Sequence, residues 1–133
     1  MIAIIPARSG SQGLKNKNIL KLNGKSLIGY TIEAALKSKK ISKVIVSTNS
    51  EKIAKIAKSF GASVPFLRPK NLATSKSKSI DTYIYTINKI EEQTNKHINS
   101  FICLLPTCPL RDSKDIDNAI RLFNKKKADS VIS

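Results

Sequence analysis

The chain has 133 residues and 41% hydrophobic content, enough for the core of a single domain spanning 1–133. No apolar run approaches the ~20 residues of a membrane-crossing helix. The short apolar start, Ile2 to Ile5, also lacks the basic region of a signal peptide, so a cytoplasmic protein without a membrane partner is expected. The formal charge of +15 raises the question of a nucleic-acid partner, but the lysines are spread over every predicted helix and aromatics make up only 5% of the chain, so none is expected.

Taken in chain order, Ile2–Ile5 reads as a buried strand. It runs into Pro6-Ala7-Arg8-Ser9-Gly10-Ser11-Gln12-Gly13, followed by Lys15, Lys17 and Asn18. A strand ending in a Gly/Ser-rich loop with cationic side chains is a device for holding phosphates. Gly10 and Gly13 allow close approach of the backbone, and successive N–H groups form an anion-binding concavity. Arg8 offers a bidentate fork and Lys17 a point charge. The loop fits neither the Walker A nor the dinucleotide fingerprint. The alternative is an ordinary strand-to-helix turn in a lysine-rich protein.

Ser26–Ser38 reads as a helix with Leu27, Ile28, Thr31, Ala34 and Ala35 on one side, and Lys43–Thr48 as a β-branched strand. Ser50 is placed to cap a helix through Phe60, with Gly61 as its stop. Val64–Phe66 reads as a short strand ended by Arg68-Pro69. Ser79 is placed to cap a helix through Gln93, whose expected apolar face is Ile80, Tyr83, Ile84, Ile87 and Ile90. Phe101–Leu105 is the next strand. Asp112 or Ser113 then caps a helix through Lys126 with Ile116, Ala119, Ile120 and Phe123 inward, and residues 130–133 resemble a further strand.

This β-α-β-α order predicts a Rossmann-like, three-layer α/β/α fold with a mostly parallel sheet. Ligands of such sheets bind at the carboxyl ends of the strands, where the loops after Ile5, Phe66 and Leu105 emerge. The chain has twenty lysines and four arginines, and three of the arginines, Arg8, Arg68 and Arg111, sit in those loops beside Pro or Gly. A lysine-biased chain that keeps arginine there points to a need for the planar fork. Cys103 and Cys108 lack zinc-pair spacing, and His97 lies apart from them in sequence, so two free thiols are expected.

Several blocks together resemble the acylneuraminate cytidylyltransferases. They are Ile4 to Gly13, Lys17-Asn18-Ile19, Leu22-Asn23-Gly24-Lys25, Tyr30 to Ala35, Val44 to Thr48, Val64-Pro65-Phe66, Arg68-Pro69 and Leu105-Pro106-Thr107-Cys108-Pro109-Leu110-Arg111, in the family's order. The resemblance implies a nucleotidyltransferase that moves CMP from CTP to a nonulosonic, sialic-acid-like sugar and releases pyrophosphate. It implies that Arg8 and Lys17 act on the phosphates together with Ser9, Gly10, Ser11, Gln12 and Gly13. Asn18, Arg68 and Ser79 would hold the cytidine part, while Leu105, Thr107 and Arg111 would border the sugar. Mg²⁺ is implied as cofactor, with ligands expected beyond residue 133, and so is a homodimer in a full-length form.

Four positions depart from the family's usual residues. Gln12 stands in place of Lys, Leu105 in place of Gln, and Asn49 and Ser75 in place of Asp. Gln12 removes a positive charge from the phosphate loop, and Leu105 removes a polar group from the sugar side, which brings legionaminic- or pseudaminic-type sugars into consideration. The chain reads as the N-terminal part of a longer family domain. Another CTP-dependent sugar nucleotidyltransferase and a non-catalytic nucleotide-binding fragment remain as alternatives.

Overall fold

The computed structural model describes residues 1–8, 21–22, 24–69, 79–106 and 112–126, with Leu22, Ser79 and Lys126 described by backbone only. Strand β1 is Ile2–Pro6, and a small antiparallel hairpin follows from β2 (Lys21–Leu22) and β3 (Lys25–Ser26). Helix α1 (Leu27–Lys37), strand β4 (Lys43–Ser47) and helix α2 (Glu51–Ser59) come next. Helix α3 (Ser79–Thr94), strand β5 (Phe101–Cys103) and helix α4 (Ser113–Lys126) complete the described elements.

The sheet runs β4-β1-β5, and both pairings are parallel. Beyond β4, isolated parallel bridges join Ile45 to Ser63 and Thr48 to Leu67. The expected strand at Val64–Phe66 is therefore a pair of bridges flanking an irregular stretch. Pro65 has no N–H to donate to a ladder, which accounts for the interruption. The predicted strand after His97 ends at Cys103 rather than Leu105, although Leu104 N still donates to Ile4 O at 3.0 Å. The hairpin was not foreseen from the sequence; the Asn23-Gly24 dipeptide was its signal, and Gly24 adopts φ +81°.

Alternation along the strands sorts the side chains onto two faces. Ala3, Ile5, Val44, Val46 and Leu104 pack with Ile28 and Ile32 of α1, Ile53 and Ala57 of α2, and Ile116 and Ile120 of α4. Ile4, Ile45, Ser47 and Cys103 alternate with these and face α3, as the Ser47–Thr86 and Cys103–Tyr83 contacts require. Helices thus cover both faces, as expected of a three-layer fold.

The helix ends follow their predicted chemistry. Ser50 Oγ accepts from Ile53 N at 3.3 Å. Gly61, at φ +100°, closes α2 through Gly61 N to Lys58 O at 3.0 Å and Ala62 N to Ala57 O at 3.1 Å, the paired bonds of a Schellman stop. At α4, Asp112 Oδ1 accepts from Asp115 N at 2.8 Å and Asp115 Oδ2 accepts from Asp112 N at 3.3 Å. Of the two cap candidates, Asp112 is the cap, in a reciprocal capping box.

The expected apolar face of α3 is corrected. Ile80 and Ile84 are 56% and 51% exposed, whereas Thr82, Thr86 and Ile90 are buried. Toward its N-terminal half the helix is phased by hydroxyl contacts with the sheet end, while Ile90 keeps its expected inward place.

Asp117 on α4 ties the α1–β4 loop to the helix layer. It accepts from Ser38 Oγ and, at 3.3 Å each, from Lys39 N and Lys40 N. The Ser38 bond, followed by the backbone donors, holds its carboxyl below the ordinary 3.8. A lowered folded-state pKa gives stability that is full above 3.8 and is lost as pH falls through the lowered value. Asp117→Asn is therefore expected to lower the unfolding midpoint at neutral pH, by less than any core truncation. The difference should close as the two proteins are titrated below the carboxylate range, which thermal melts at stepped pH will check.

Candidate nucleotide-binding site

Two strand ends and one helix deliver side chains to the carboxyl edge of the sheet. Ala7 N donates to Ser47 O at 2.9 Å, which carries the chain beyond β1 alongside β4 and launches Arg8 from the middle of that edge. Arg68 N donates to Thr48 O at 2.8 Å, one residue past the Leu67 bridge. The Arg68 side chain is only 5% exposed and donates from Nη1 to Thr82 Oγ1 of α3 at 3.1 Å.

The two guanidiniums feel one another. Burial first, and then the positive charge of Arg8, lower the pKa of Arg68. Beside them, Cys103 Sγ lies 2.7 Å from the Tyr83 hydroxyl, and burial above all pushes the Tyr83 phenol well above its ordinary range, against the pull of Arg68. Like charges gathered at a water-poor strand end raise the local positive potential, and a polyanion relieves it. With their planar forks, two arginines there suit phosphate oxygens.

A sequence profile of the cytidylyltransferase family matches residues 2–133. The chain belongs to the cytidylyltransferase family. It is 46% identical over its whole length to the N-acylneuraminate cytidylyltransferase of Escherichia coli O18:K1:H7, covering 30% of that protein. It is 42% identical, again over its whole length, to the CMP-N,N'-diacetyllegionaminic acid synthase of Legionella pneumophila, covering 56% of it. Among solved structures, the CMP:2-keto-3-deoxy-manno-octonic acid synthetase complexed with CTP shares the fold with a TM-score of 0.77 at 21% identity, over 96% of this chain and 48% of that one. The chain therefore spans about half the length, or less, of these relatives. The resemblance to acylneuraminate cytidylyltransferases and the Rossmann-like nucleotidyltransferase fold are both borne out.

Arg8 and Arg68, 60 residues apart in sequence, both stand at the carboxyl edge of the sheet, where the charge of Arg8 acts on Arg68. Leu105 follows β5 at the same edge and is 47% exposed. Ser79 is the first residue of α3. Ser9, Gly10, Ser11, Gln12, Gly13, Lys17, Asn18, Thr107 and Arg111 lie outside the described residues. Cys103 donates from Sγ to the Tyr83 hydroxyl, and Cys108 lies outside the described residues. Among the described residues there is no cluster of three or more His, Cys, Asp or Glu that could hold a metal ion. Also among the described residues, no helix is long and apolar enough to cross a membrane.

Sequence reasoning missed Thr82, Thr86 and Ser47. The signal was there as two threonines one helical turn apart on α3, but a hydroxyl on a helix reads as a solvated face until the strand order sets it against Ser47 and Arg68.

Proposed function

We propose that this chain carries the nucleotide-binding half of an enzyme that transfers CMP from CTP to a nonulosonic acid. The placement of both Arg8 and Arg68 at the carboxyl edge of a parallel sheet is the observation that supports this reading most directly. The relatives named for acylneuraminate and legionaminic acid substrates point the same way. In the reaction, the sugar's anomeric hydroxyl oxygen bonds to the α-phosphorus of CTP, the bond from that phosphorus to the bridging oxygen breaks, pyrophosphate leaves and the hydroxyl proton is released. Such chemistry rests on positioning and on stabilising charge that grows on the phosphate oxygens.

Arg8 and Lys17, with the amides of Ser9 to Gly13, are assigned to the triphosphate; Asn18, Arg68 and Ser79 to the cytidine side; and Leu105, Thr107 and Arg111 to the sugar. Leu105 in place of a polar residue favours a legionaminic- or pseudaminic-type sugar over an N-acylneuraminate. Mg²⁺ enters the proposal as the counter-ion of the triphosphate, with no described residue assigned to hold it. A cytoplasmic homodimer belongs to the same proposal.

Thermal unfolding with CTP, UTP, ATP or GTP, with and without Mg²⁺, tests it. A ligand at ~100 times its Kd adds about 2.7 kcal/mol to the folded state, which moves the midpoint of a domain this size by several degrees. A shift selective for CTP is expected. No shift with any nucleotide overturns the reading, and equal shifts with all four point to generic polyanion binding.

A further inference from the structure

Beneath the arginine pair lies a chain of buried hydroxyls. Thr86 Oγ1 donates to the Thr82 carbonyl at 2.8 Å. Its single proton is thereby used, so in the 2.8 Å contact between Ser47 Oγ and Thr86 Oγ1 the serine is the donor. One turn earlier on α3, Thr82 Oγ1 accepts from Arg68 Nη1. Ser47, Thr82 and Thr86 are 1%, 5% and 0% exposed, so none of these contacts is shared with bulk water. Hydroxyls on a buried helix face cost more than methyl groups unless they are used. Ser47 and Thr86 fix the rotation of α3 against β4, and that rotation presents the Thr82 hydroxyl to Arg68. The arginine's own backbone is meanwhile pinned to Thr48 O, one residue past β4.

We infer that Thr82 is a positioning residue for Arg68. Its hydroxyl, set by the Ser47–Thr86 contact, holds the guanidinium in the orientation that meets the nucleotide. The inference rests on the proposed binding of CTP at this edge. It assigns Thr82 no contact with substrate, so its whole effect should pass through Arg68.

That last property makes it testable with a double-mutant cycle on CTP affinity, measured by calorimetry on the 133-residue chain. Thr82→Val keeps the shape and removes the acceptor; Thr82→Ser keeps the acceptor. Thr82→Val is expected to weaken CTP by about tenfold or more, the low end of the range for one hydrogen bond to a charged group. Thr82→Ser should stay within about twofold of the parent on the same reasoning. In an Arg68→Met background, Thr82→Val should cost nothing further. Melts without nucleotide, run alongside, show that each variant is folded.

Parent-like CTP affinity in Thr82→Val overturns the inference and leaves the functional reading standing. The same loss in the Arg68→Met background as in the parent also overturns it, because Thr82 would then act by another route. If the parent chain binds no CTP, the functional reading fails and the inference fails with it.

Discussion

Arg68→Met is expected to weaken CTP binding by about a hundredfold while leaving the fold intact or slightly more stable. The two halves of this expectation have separate causes. A guanidinium that is 5% exposed has given up most of its hydration, and Arg8 adds like-charge repulsion, as the lowered pKa of Arg68 records. Replacing a buried charge with an apolar side chain of similar length is often neutral or stabilising. Against CTP the balance reverses. A planar fork that meets an anion makes charge-assisted bonds worth roughly 1.5–3 kcal/mol each, and a two-bond loss at the low end is already about a hundredfold. Arg68→Lys keeps the charge and loses the fork, so an intermediate loss is expected. Calorimetric titration with CTP, paired with melts of the free proteins, reads both effects. A variant that melts lower and binds as before would show Arg68 to be a structural ion rather than a nucleotide contact.

The sequence disclosed the layers more readily than their rotation. Strand β1, strand β4 and the four described helices were legible because each carries an apolar period and a polar boundary. Ser50 and Gly61 even marked the two ends of α2 with the cap chemistry later seen. Helix α3 was legible as a helix and not as a face. Its isoleucines at 80 and 84 form the stronger apolar pattern, yet the sheet surface it meets near the carboxyl edge presents Ser47 and Cys103. Polar surface attracts the threonines, and the isoleucines turn outward.

The same cause limited what could be read of the site. Arg8 and Arg68 stood out because an otherwise lysine-rich chain keeps arginine in two strand-end loops. Their support from Thr82 depends on strand order. Only a sheet arranged β4-β1-β5, with the segment after α2 bridged to the far side of β4, brings residue 68 across to α3.

Ile5→Ala should produce the largest loss of stability. Ile5 is fully buried in the central strand, opposite Val46 in register, within the cluster that joins α1, α2 and α4. Removing three carbons there costs about 2–5 kcal/mol, from lost transfer energy plus the cavity left behind. For a chain of this size that is a fall in midpoint of roughly 8–20 °C. Ile5→Val, at about 0.5–1.5 kcal/mol, sets the scale for a smaller cavity. A drop of under about 3 °C in Ile5→Ala would contradict the packed interior described here.

The informative comparison is with the arginine variant. Ile5 is three residues from Arg8 but points into the other layer from Arg68 and Thr82. At a temperature where Ile5→Ala is still folded, it should therefore bind CTP with parent affinity. Arg68→Met should do the reverse, stable but failing to bind. If the two effects separate in this way, the helix layer of α1, α2 and α4 supplies stability, while the α3 side of the same sheet spends some of it on holding cations where an anion will sit.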